Sequence, residues 1–98
     1  MVTELFLWSD DSGDTVGTSP AQSKQMYSNI ANTYPAPHLI LNHETKDSTV
    51  FDVIPYAVST LKNRGYQLVA VDTCMGNEGE WPYQWVGQPQ QRDASWHC

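Results

Sequence analysis

The chain has 98 residues, of which 40% are hydrophobic and 16% are charged, and its formal net charge is −6. A chain of this length is sufficient for one small domain but not for two independent cores. Because its acidic surface repels phosphate groups and anionic lipids, we expect no nucleic-acid or membrane-surface partner, and no apolar run reaches the roughly 18 residues of a membrane span.

The amino terminus and the two cysteines indicate different compartments. Residues 1–10 contain no basic segment and only a short apolar stretch, so we expect no signal peptide in this sequence. Cys74 and Cys98 nevertheless lie among Gly, Trp and Pro residues, as in many oxidised extracellular proteins, although two unpaired thiols remain the alternative. This conflict leads us to expect further sequence upstream of Met1.

The first predicted elements are a strand and a loop. Val2–Trp8 alternates in polarity and is rich in residues that favour strands. Ser9–Thr18 is predicted to be a loop because it contains three Asp and two Gly and has no apolar period. We therefore expect acidic side chains at the carboxyl end of the first strand.

The first helix has a clear start signal. Ser19 can accept a hydrogen bond from the backbone of Gln22, whose side chain can reach back, and Pro20 fits the first helical position. The helix is predicted to run to about Asn32, before the Tyr34–Pro37 segment that stops it. Its predicted buried face comprises Tyr27, Ile30 and Ala31.

A second strand and a second helix follow. His38–Asn42 includes the continuous apolar triplet of residues 39–41, which is typical of a strand covered on both faces in a parallel sheet. After a polar loop, a helix is predicted over Thr49–Arg64 and is closed by Gly65 in the left-handed conformation. Pro55 inside this span either removes a hydrogen bond or marks a later start. The face predicted to be buried comprises Val50, Ile54, Ala57, Val58 and Leu61.

The third predicted strand spans Gln67–Val71, and the chain is expected to be irregular from Thr73 onward. The order strand–helix–strand–helix–strand, with connections of this length, predicts parallel strands and right-handed crossovers. The predicted fold class is therefore α/β, with three parallel strands, two helices and an irregular carboxy-terminal tail. Because such a sheet leaves its edges unpaired, we expect it to be part of a larger α/β sheet or barrel.

Polar residues cluster at the carboxyl ends of the first two strands, where parallel α/β folds bind ligands. One cluster is Trp8–Asp14, and the other is residues 41–44, which contain His43. A His close to a carboxylate of the neighbouring strand end forms an acid–base pair, because the carboxylate stabilises the protonated imidazole. The alternative is a surface loop with ordinary solvated charges. His38 lies on the opposite face of the strand from His43, and we expect a structural role for it.

These two segments resemble catalytic motifs of polysaccharide deacetylases with the NodB-homology domain, a family of carbohydrate esterases. Residues 39–45 are similar to the last catalytic motif of the family in its fungal chitin deacetylase form, in which Glu commonly follows the His. Trp8–Asp14 is similar to the preceding motif, with Asp11 and Asp14 as its two acids. The two motifs occur here in the order and at the spacing of the family.

The resemblance extends over nearly the whole chain, because Thr49–Gly65 and Tyr66–Gly76 are similar to the family's final helix and strand. It implies that residues 1–76 are the carboxy-terminal part of a partial, distorted (β/α) barrel of the NodB type. Residues 77–98 would be an irregular tail rich in Trp, Pro and Gly. The full-length relatives are extracellular or cell-wall proteins that hydrolyse the N-acetyl groups of chitin or of other N-acetylated polysaccharides.

The matching positions imply roles for four residues. His43 matches the general acid that protonates the leaving amine, and Asp14 matches the carboxylate that orients this His and tunes its proton affinity. Leu41 matches an apolar wall of the acetyl pocket, and Trp8 belongs to the substrate-binding part of the preceding motif. Thr15 stands where the family usually has Trp or Tyr, so one aromatic wall of the groove differs here.

The family also uses a divalent metal ion, zinc or cobalt, which is held by one Asp and two His and activates a water molecule, with a second Asp as base. These residues belong to earlier motifs, which nothing in this sequence matches. We therefore expect that this chain alone binds no metal and that the isolated 98 residues have no deacetylase activity.

A different interpretation of the chain is carbohydrate binding without catalysis, or a role as an interaction module. Four aromatic side chains of the tail could stack on sugar rings or could instead pack against the domain: Trp81, Tyr83, Trp85 and Trp96. The cysteines also have two possible partners. Cys74 and Cys98 can pair with each other, and the resemblance alternatively implies a bond from Cys74 to an upstream cysteine.

Overall fold

The computed structural model describes residues 5–76, 87–88, 91 and 93–95. The elements in chain order are β1 (Asp10–Asp11), α1 (Pro20–Ala31), β2 (Ile40–Leu41), a π-helical turn (Thr49–Val53) that continues into α2 (Ile54–Arg64), and α3 (Val71–Cys74). The two strands form a parallel sheet in which Asp10 pairs with Ile40 and Asp11 pairs with Leu41. As the sequence predicts, none of the helices in the described part of the chain is long and apolar enough to cross a membrane.

Helix α1 begins at the residue that the sequence predicts. The Ser19 hydroxyl accepts a hydrogen bond from the Gln22 backbone N–H, and the Gln22 side-chain oxygen accepts one from the Ser19 N–H at 2.9 Å. Pro20 occupies the first turn, where no backbone donor is needed. The helix ends at Ala31, one residue before the predicted end. The three residues predicted to be buried are all in the core: Tyr27, Ile30 and Ala31.

The second predicted helix is present, but its buried face differs from the prediction. Val53, Ala57 and Leu61 lie in the core, spaced four residues apart, whereas Val50 and Val58 are exposed. This narrow stripe is sufficient because α2 packs mainly on α1, which covers only one side of it. The prediction of Val50 and Val58 as core residues is therefore wrong, since the described part of the chain places no second layer against them.

Pro55 and Gly65 mark the two ends of α2. Helical structure begins at Thr49 with the π-helical turn, and regular α-helical structure begins at Ile54, so Pro55 lies in the first α-helical turn. Of the two alternatives for Pro55, the structure therefore agrees with a later start of the α-helix. Gly65 closes the helix with φ of +114°, in the left-handed conformation that the sequence predicts.

The strands are shorter than predicted because a strand requires a hydrogen-bonded neighbour. Residues 5–8 contain no strand, and pairing begins at Ser9, whose N–H donates to the Leu39 carbonyl at 2.8 Å. The predicted strand over 67–71 is also wrong. Residues 67–70 are unpaired, and Val71 begins α3. Two parallel strands are thus present among the described residues, and the larger distorted barrel stays a prediction.

Helix α1 lies on one face of the sheet, so the face on which a strand side chain lies determines whether it can contact the helix. Side chains alternate between the two faces of a strand, so Asp10, Ser12, Ile40 and Asn42 share the face towards α1. Ile40 packs against the core on this face. On the opposite face Asp11 is exposed and Leu41 is half-buried. Polar groups at the strand ends therefore divide between a face towards the helix and an open face.

Candidate functional site

The sheet ends in an irregular hydrogen-bond pattern at the carboxyl ends of β1 and β2. The Ser12 N–H donates to the Leu41 carbonyl at 3.2 Å, and a regular parallel ladder would next join the His43 N–H to the Ser12 carbonyl. The His43 N–H instead donates to Oδ2 of Asp14 at 2.8 Å. The Ser12 carbonyl accepts a hydrogen bond from the Ser23 hydroxyl of α1 at 2.8 Å. A carboxylate thus takes the place of the strand backbone at this point.

Asp14 and His43, which the sequence predicts to be a pair, are brought together. The distance from Nδ1 of His43 to Oδ1 of Asp14 is 2.8 Å. The Thr49 hydroxyl donates to Oδ2 of Asp14, also at 2.8 Å. Three donors therefore converge on one carboxylate, whose side chain is only 5% exposed, whereas the His43 side chain is 37% exposed. The pair combines a buried anion with an imidazole that solvent can reach.

The hydrogen bonds keep Asp14 ionised. Burial raises the pKa of Asp14, but hydrogen bonds from the His43 ring, the His43 backbone and Thr49, with the charge of His43, outweigh it and hold this pKa below the ordinary 3.8. An ionised carboxylate only accepts hydrogen bonds, so Nδ1 of His43 bears a proton. The other ring nitrogen, Nε2, lies on the far edge of the ring from Asp14. It is the atom that can deliver or accept a proton.

A tight turn brings Asp14 to this position. Gly13 has φ of +70°, and a Cβ at this residue would lie 2.1 Å from Oγ1 of Thr18, so both backbone conformation and space require glycine. The Asp11 side chain accepts a hydrogen bond from the Gly13 N–H at 2.8 Å. Asp11, which the resemblance names as the second acid of its motif, is exposed and holds this turn; none of its hydrogen bonds involves His43.

Two polar residues near the pair, Asn42 and Thr49, were given no role from the sequence. The Asn42 side-chain amide donates to the Tyr27 hydroxyl at 2.5 Å, joining β2 to α1. Burial raises the pKa of Tyr27 and the nearby Asp14 charge raises it further, against the Asn42 hydrogen bond, so the phenol stays protonated. Thr49 was also missed as a site residue, because a Thr at the start of a helix is ordinary and its partner lies 35 positions away.

A second His–Asp pair lies on the face of the sheet towards α1. Nδ1 of His38 is 2.7 Å from Oδ2 of Asp10, and Nε2 is 2.7 Å from the Thr33 hydroxyl, which in turn donates to the Ile30 carbonyl. Burial raises the pKa of Asp10, but hydrogen bonds from Ser9 and His38 outweigh it and the pKa is lowered. Because both ring nitrogens of His38 have protein partners, this pair joins β1 to the end of α1, as expected for a structural residue.

One cavity in the described part of the chain is separate from the Asp14–His43 pair. It has a volume of about 420 Å³ and lies beside β2, the end of α2 and residues 65–69. Its lining is mostly apolar and includes Tyr34, Leu61, Tyr66 and Leu68. Neither Asp14 nor His43 lines it, so the candidate chemistry lies at the strand ends rather than in this cavity.

The other predicted site residues are spread over a wider area. Leu41 precedes His43 by two residues at the end of β2 and is half-buried. Trp8 lies before β1 and is 51% exposed, without a hydrogen bond to Asp14 or His43 in the described structure. Cys74 ends α3 and has no disulfide partner among the described residues, and Cys98 lies outside them, so its pairing stays a prediction. The tail aromatics also lie outside the described residues: Trp81, Tyr83, Trp85 and Trp96.

The described residues do not fit the metal site that the family resemblance implies. Within residues 5–76 and the few described positions beyond them, no group of three or more His, Cys, Asp or Glu side chains could hold a metal ion. Each of the two described His residues is already paired with an Asp, on a different face of the sheet. One Asp and two His therefore do not converge here.

Comparison with known proteins gives no relative for this chain. No protein-family model matches the sequence, and no curated protein or solved structure matches it. The functional interpretation therefore depends on the Asp14–His43 geometry and on the motifs that surround it.

Proposed function

We propose that the Asp14–His43 pair is the general-acid element of an amide hydrolase that removes N-acetyl groups from chitin or another N-acetylated polysaccharide. The observation that supports this most directly is the convergence of three donors on Asp14, which leaves Nε2 of His43 facing away from the carboxylate. The Leu-x-His sequence at residues 41–43 begins at the last residue of the parallel strand β2, as in the family motif that it resembles.

The residues of this chain account for one step of amide hydrolysis. When the carbon–nitrogen bond breaks, the amine leaves only if it receives a proton, and Nε2–H of His43 donates that proton. Asp14 accepts the Nδ1–H and stabilises the positive ring before the transfer. Positioned general acids of this kind contribute about 10²- to 10⁴-fold to the rate. In this proposal Leu41 contacts the acetyl methyl and Trp8 contacts the sugar.

The remaining chemistry is assigned to residues outside these 98. In the family that the sequence resembles, a divalent metal ion, zinc or cobalt, supplies an activated water molecule. The described residues do not fit such a site. We propose that the metal ligands and the base belong to another part of a longer protein, which acts outside the cell or in the cell wall, and that the isolated chain does not turn over substrate.

A ligand titration tests the proposed site on the chain as it exists. The chain, labelled with ¹³C and ¹⁵N, is titrated with an N-acetylglucosamine oligomer and followed by NMR, with a glucosamine oligomer of equal length as control. We expect the acetylated oligomer to shift the His43 ring and Leu41 methyl signals and the control to leave them unchanged. Equal shifts with both oligomers, or none at His43, would contradict the proposal. Shifts confined to the tail Trp signals would instead favour non-catalytic carbohydrate binding.

A second measurement tests the inactivity of the isolated chain. Acetate release from the acetylated oligomer is measured with zinc or cobalt added, and we expect no release above the protein-free control. Release that depends on the metal and disappears in His43→Ala would show that the 98 residues contain a whole catalytic site. This result would overturn the assignment of the metal ligands to another part of the protein.

A further inference from the structure

Thr49 is a buried residue whose hydroxyl points away from its own helix. It is the first residue of the π-helical turn and is 2% exposed. The N-cap position before it is occupied by Ser48, whose side chain makes no cap hydrogen bond. The Thr49 hydroxyl donates to Oδ2 of Asp14 at 2.8 Å.

This hydrogen bond gives the Asp14 carboxylate an attachment that does not come from the His43 loop. Without Thr49 the two donors to Asp14 are the backbone and ring of His43, which belong to the same residue. Thr49 adds a donor that is fixed on the helical layer. Since two donors then share Oδ2, the carboxylate cannot rotate without losing one of them, and Oδ1 stays aimed at Nδ1 of His43.

Thr49 begins a π-helical turn that also contains the core residue Val53. The Ile54 N–H donates to the Thr49 carbonyl, five residues earlier, and the turn is one residue wider than an α-helical turn. Thr49 and Val53 are both buried, and Val53 packs into the core between α1 and α2. The turn is therefore anchored by Val53 while it holds the Thr49 hydroxyl against the carboxylate. Single π-helical turns occur often at functional sites.

We propose that Thr49 is a positioning residue, whose hydroxyl fixes the Asp14 carboxylate so that His43 keeps Nδ1 on Asp14 and turns Nε2 towards substrate. The inference rests on the proposed function, in which that outward nitrogen is the acid. The orientation of the pair can nevertheless be measured without any activity. If the acetylated oligomer does not bind, the proposed function is contradicted, but the NMR measurements on Asp14 and His43 in the Thr49 variants are not affected.

Two matched variants test the role of the hydroxyl. Thr49→Val keeps the branched shape and removes the donor, and Thr49→Ser keeps the donor. The carboxyl of Asp14 is titrated by ¹³C NMR, and the ring nitrogens of His43 are observed by ¹⁵N NMR at a pH where the ring is neutral. We expect Thr49→Val to raise the pKa of Asp14 and to lower severalfold the preference of His43 for the Nδ1–H form. Thr49→Ser should match the original chain in both respects.

The outcomes that overturn the inference are specific. Thr49→Val with the original Asp14 titration and the original His43 tautomer would show that the hydroxyl positions nothing. Equal effects of Val and Ser would show that packing, rather than the hydrogen bond, matters. If Thr49→Val does not fold, the contact can be tested in the original chain. There the Thr49 hydroxyl and the His43 amide N–H both donate to Oδ2 of Asp14, so their protons lie close together. We expect an NOE between them, and its absence from a spectrum that resolves both protons would refute the contact.

Discussion

Replacing Asp14 with Asn tests how much the buried carboxylate stabilises the fold. The substitution preserves shape, removes the charge and turns one acceptor atom into an N–H₂ donor. Three donors converge on Asp14, so the new amide group must face at least one N–H or O–H. Loss of a hydrogen bond to a charged acceptor, together with an unsatisfied buried donor, costs about 2–4 kcal/mol. The His43 side chain is 37% exposed, so water can replace part of its interaction with residue 14. We therefore expect the free energy of unfolding to fall by an amount in the lower half of this range, about 2–3 kcal/mol.

The assay is urea unfolding of the Asp14→Asn chain at pH 7, monitored by circular dichroism, with Asp11→Asn as the matched control. Asp11 precedes Asp14 by three residues, is exposed, and accepts only the Gly13 N–H in the described structure. Its substitution should therefore cost less than about 1 kcal/mol. A loss for Asp14→Asn no larger than that of the control would refute the argument from converging donors.

The pH dependence of the Asp14→Asn effect provides a second check. The pKa of Asp14 in the folded chain lies below its ordinary value of 3.8. Its contribution to the free energy of unfolding is therefore fully present above pH 3.8 and is lost as the pH falls through the folded pKa. We expect the difference between the two chains to be constant around neutrality and to shrink as the pH falls below 3.8. If the two chains differ in free energy of unfolding by the same amount at neutral pH and at low pH, the charge of Asp14 does not stabilise the fold.

Three further sets of substitutions test the packing, the helix start and the second His–Asp pair by the same unfolding assay. Val53→Ala should cost about 2–3 kcal/mol, because Val53 is 2% exposed, whereas Val58→Ala at a 39% exposed position should cost about 0.5 kcal/mol or less. Equal losses would place Val58 on the buried face. Ser19→Ala should cost about 1 kcal/mol through loss of the cap, and Ser19→Asp should recover most of it. His38→Ala should cost about 1–3 kcal/mol, and the cost should fall when Asp10 is already Asn; an unchanged cost would show that the pair is not coupled.

The first helix could be predicted from the sequence because its signals are local. Ser19, Pro20 and Gln22 lie within four residues of one another, and the cap needs no other part of the chain. The buried face of α2 could not be predicted in this way. Five apolar positions fit a helical stripe, and which of them are buried depends on the side from which α1 approaches. Apolar periodicity identifies a helix, but the position of its neighbour selects the face.

Strand prediction failed for a related reason. Residues 5–8 and 67–70 have suitable side chains, but a strand exists only where another strand supplies hydrogen-bond partners. The described chain offers such partners only to β1 and β2. Of the predicted strand His38–Asn42, Ile40 and Leu41 form β2, because the acidic segment at Ser9–Ser12 supplies their hydrogen-bond partners. Side-chain propensity alone did not identify that segment as a strand, since it contains two Asp and two Ser.

The register of the sheet determines which of the three acids pairs with which His, and the sequence alone does not. Asp10, Asp11 and Asp14 lie within five residues, and spacing alone does not distinguish them as partners of a His. Once Asp10 lies opposite Ile40, alternation puts Asp10 on the same face as His38, which precedes Ile40 by two residues. Asp11 falls on the other face, exposed, and holds the turn at Gly13.

Because the chain turns at Gly13, Asp14 lies outside strand β1. It can therefore meet His43 where the ladder ends, with its carboxylate in place of the backbone acceptor that β1 no longer supplies. One register and one glycine turn are sufficient to give each acid its partner. The same register explains why the two His–Asp pairs cannot exchange partners, because His38 and His43 lie five residues apart and face opposite sides of the sheet. A substitution that shifted the register by one residue would exchange the two faces and separate both pairs together.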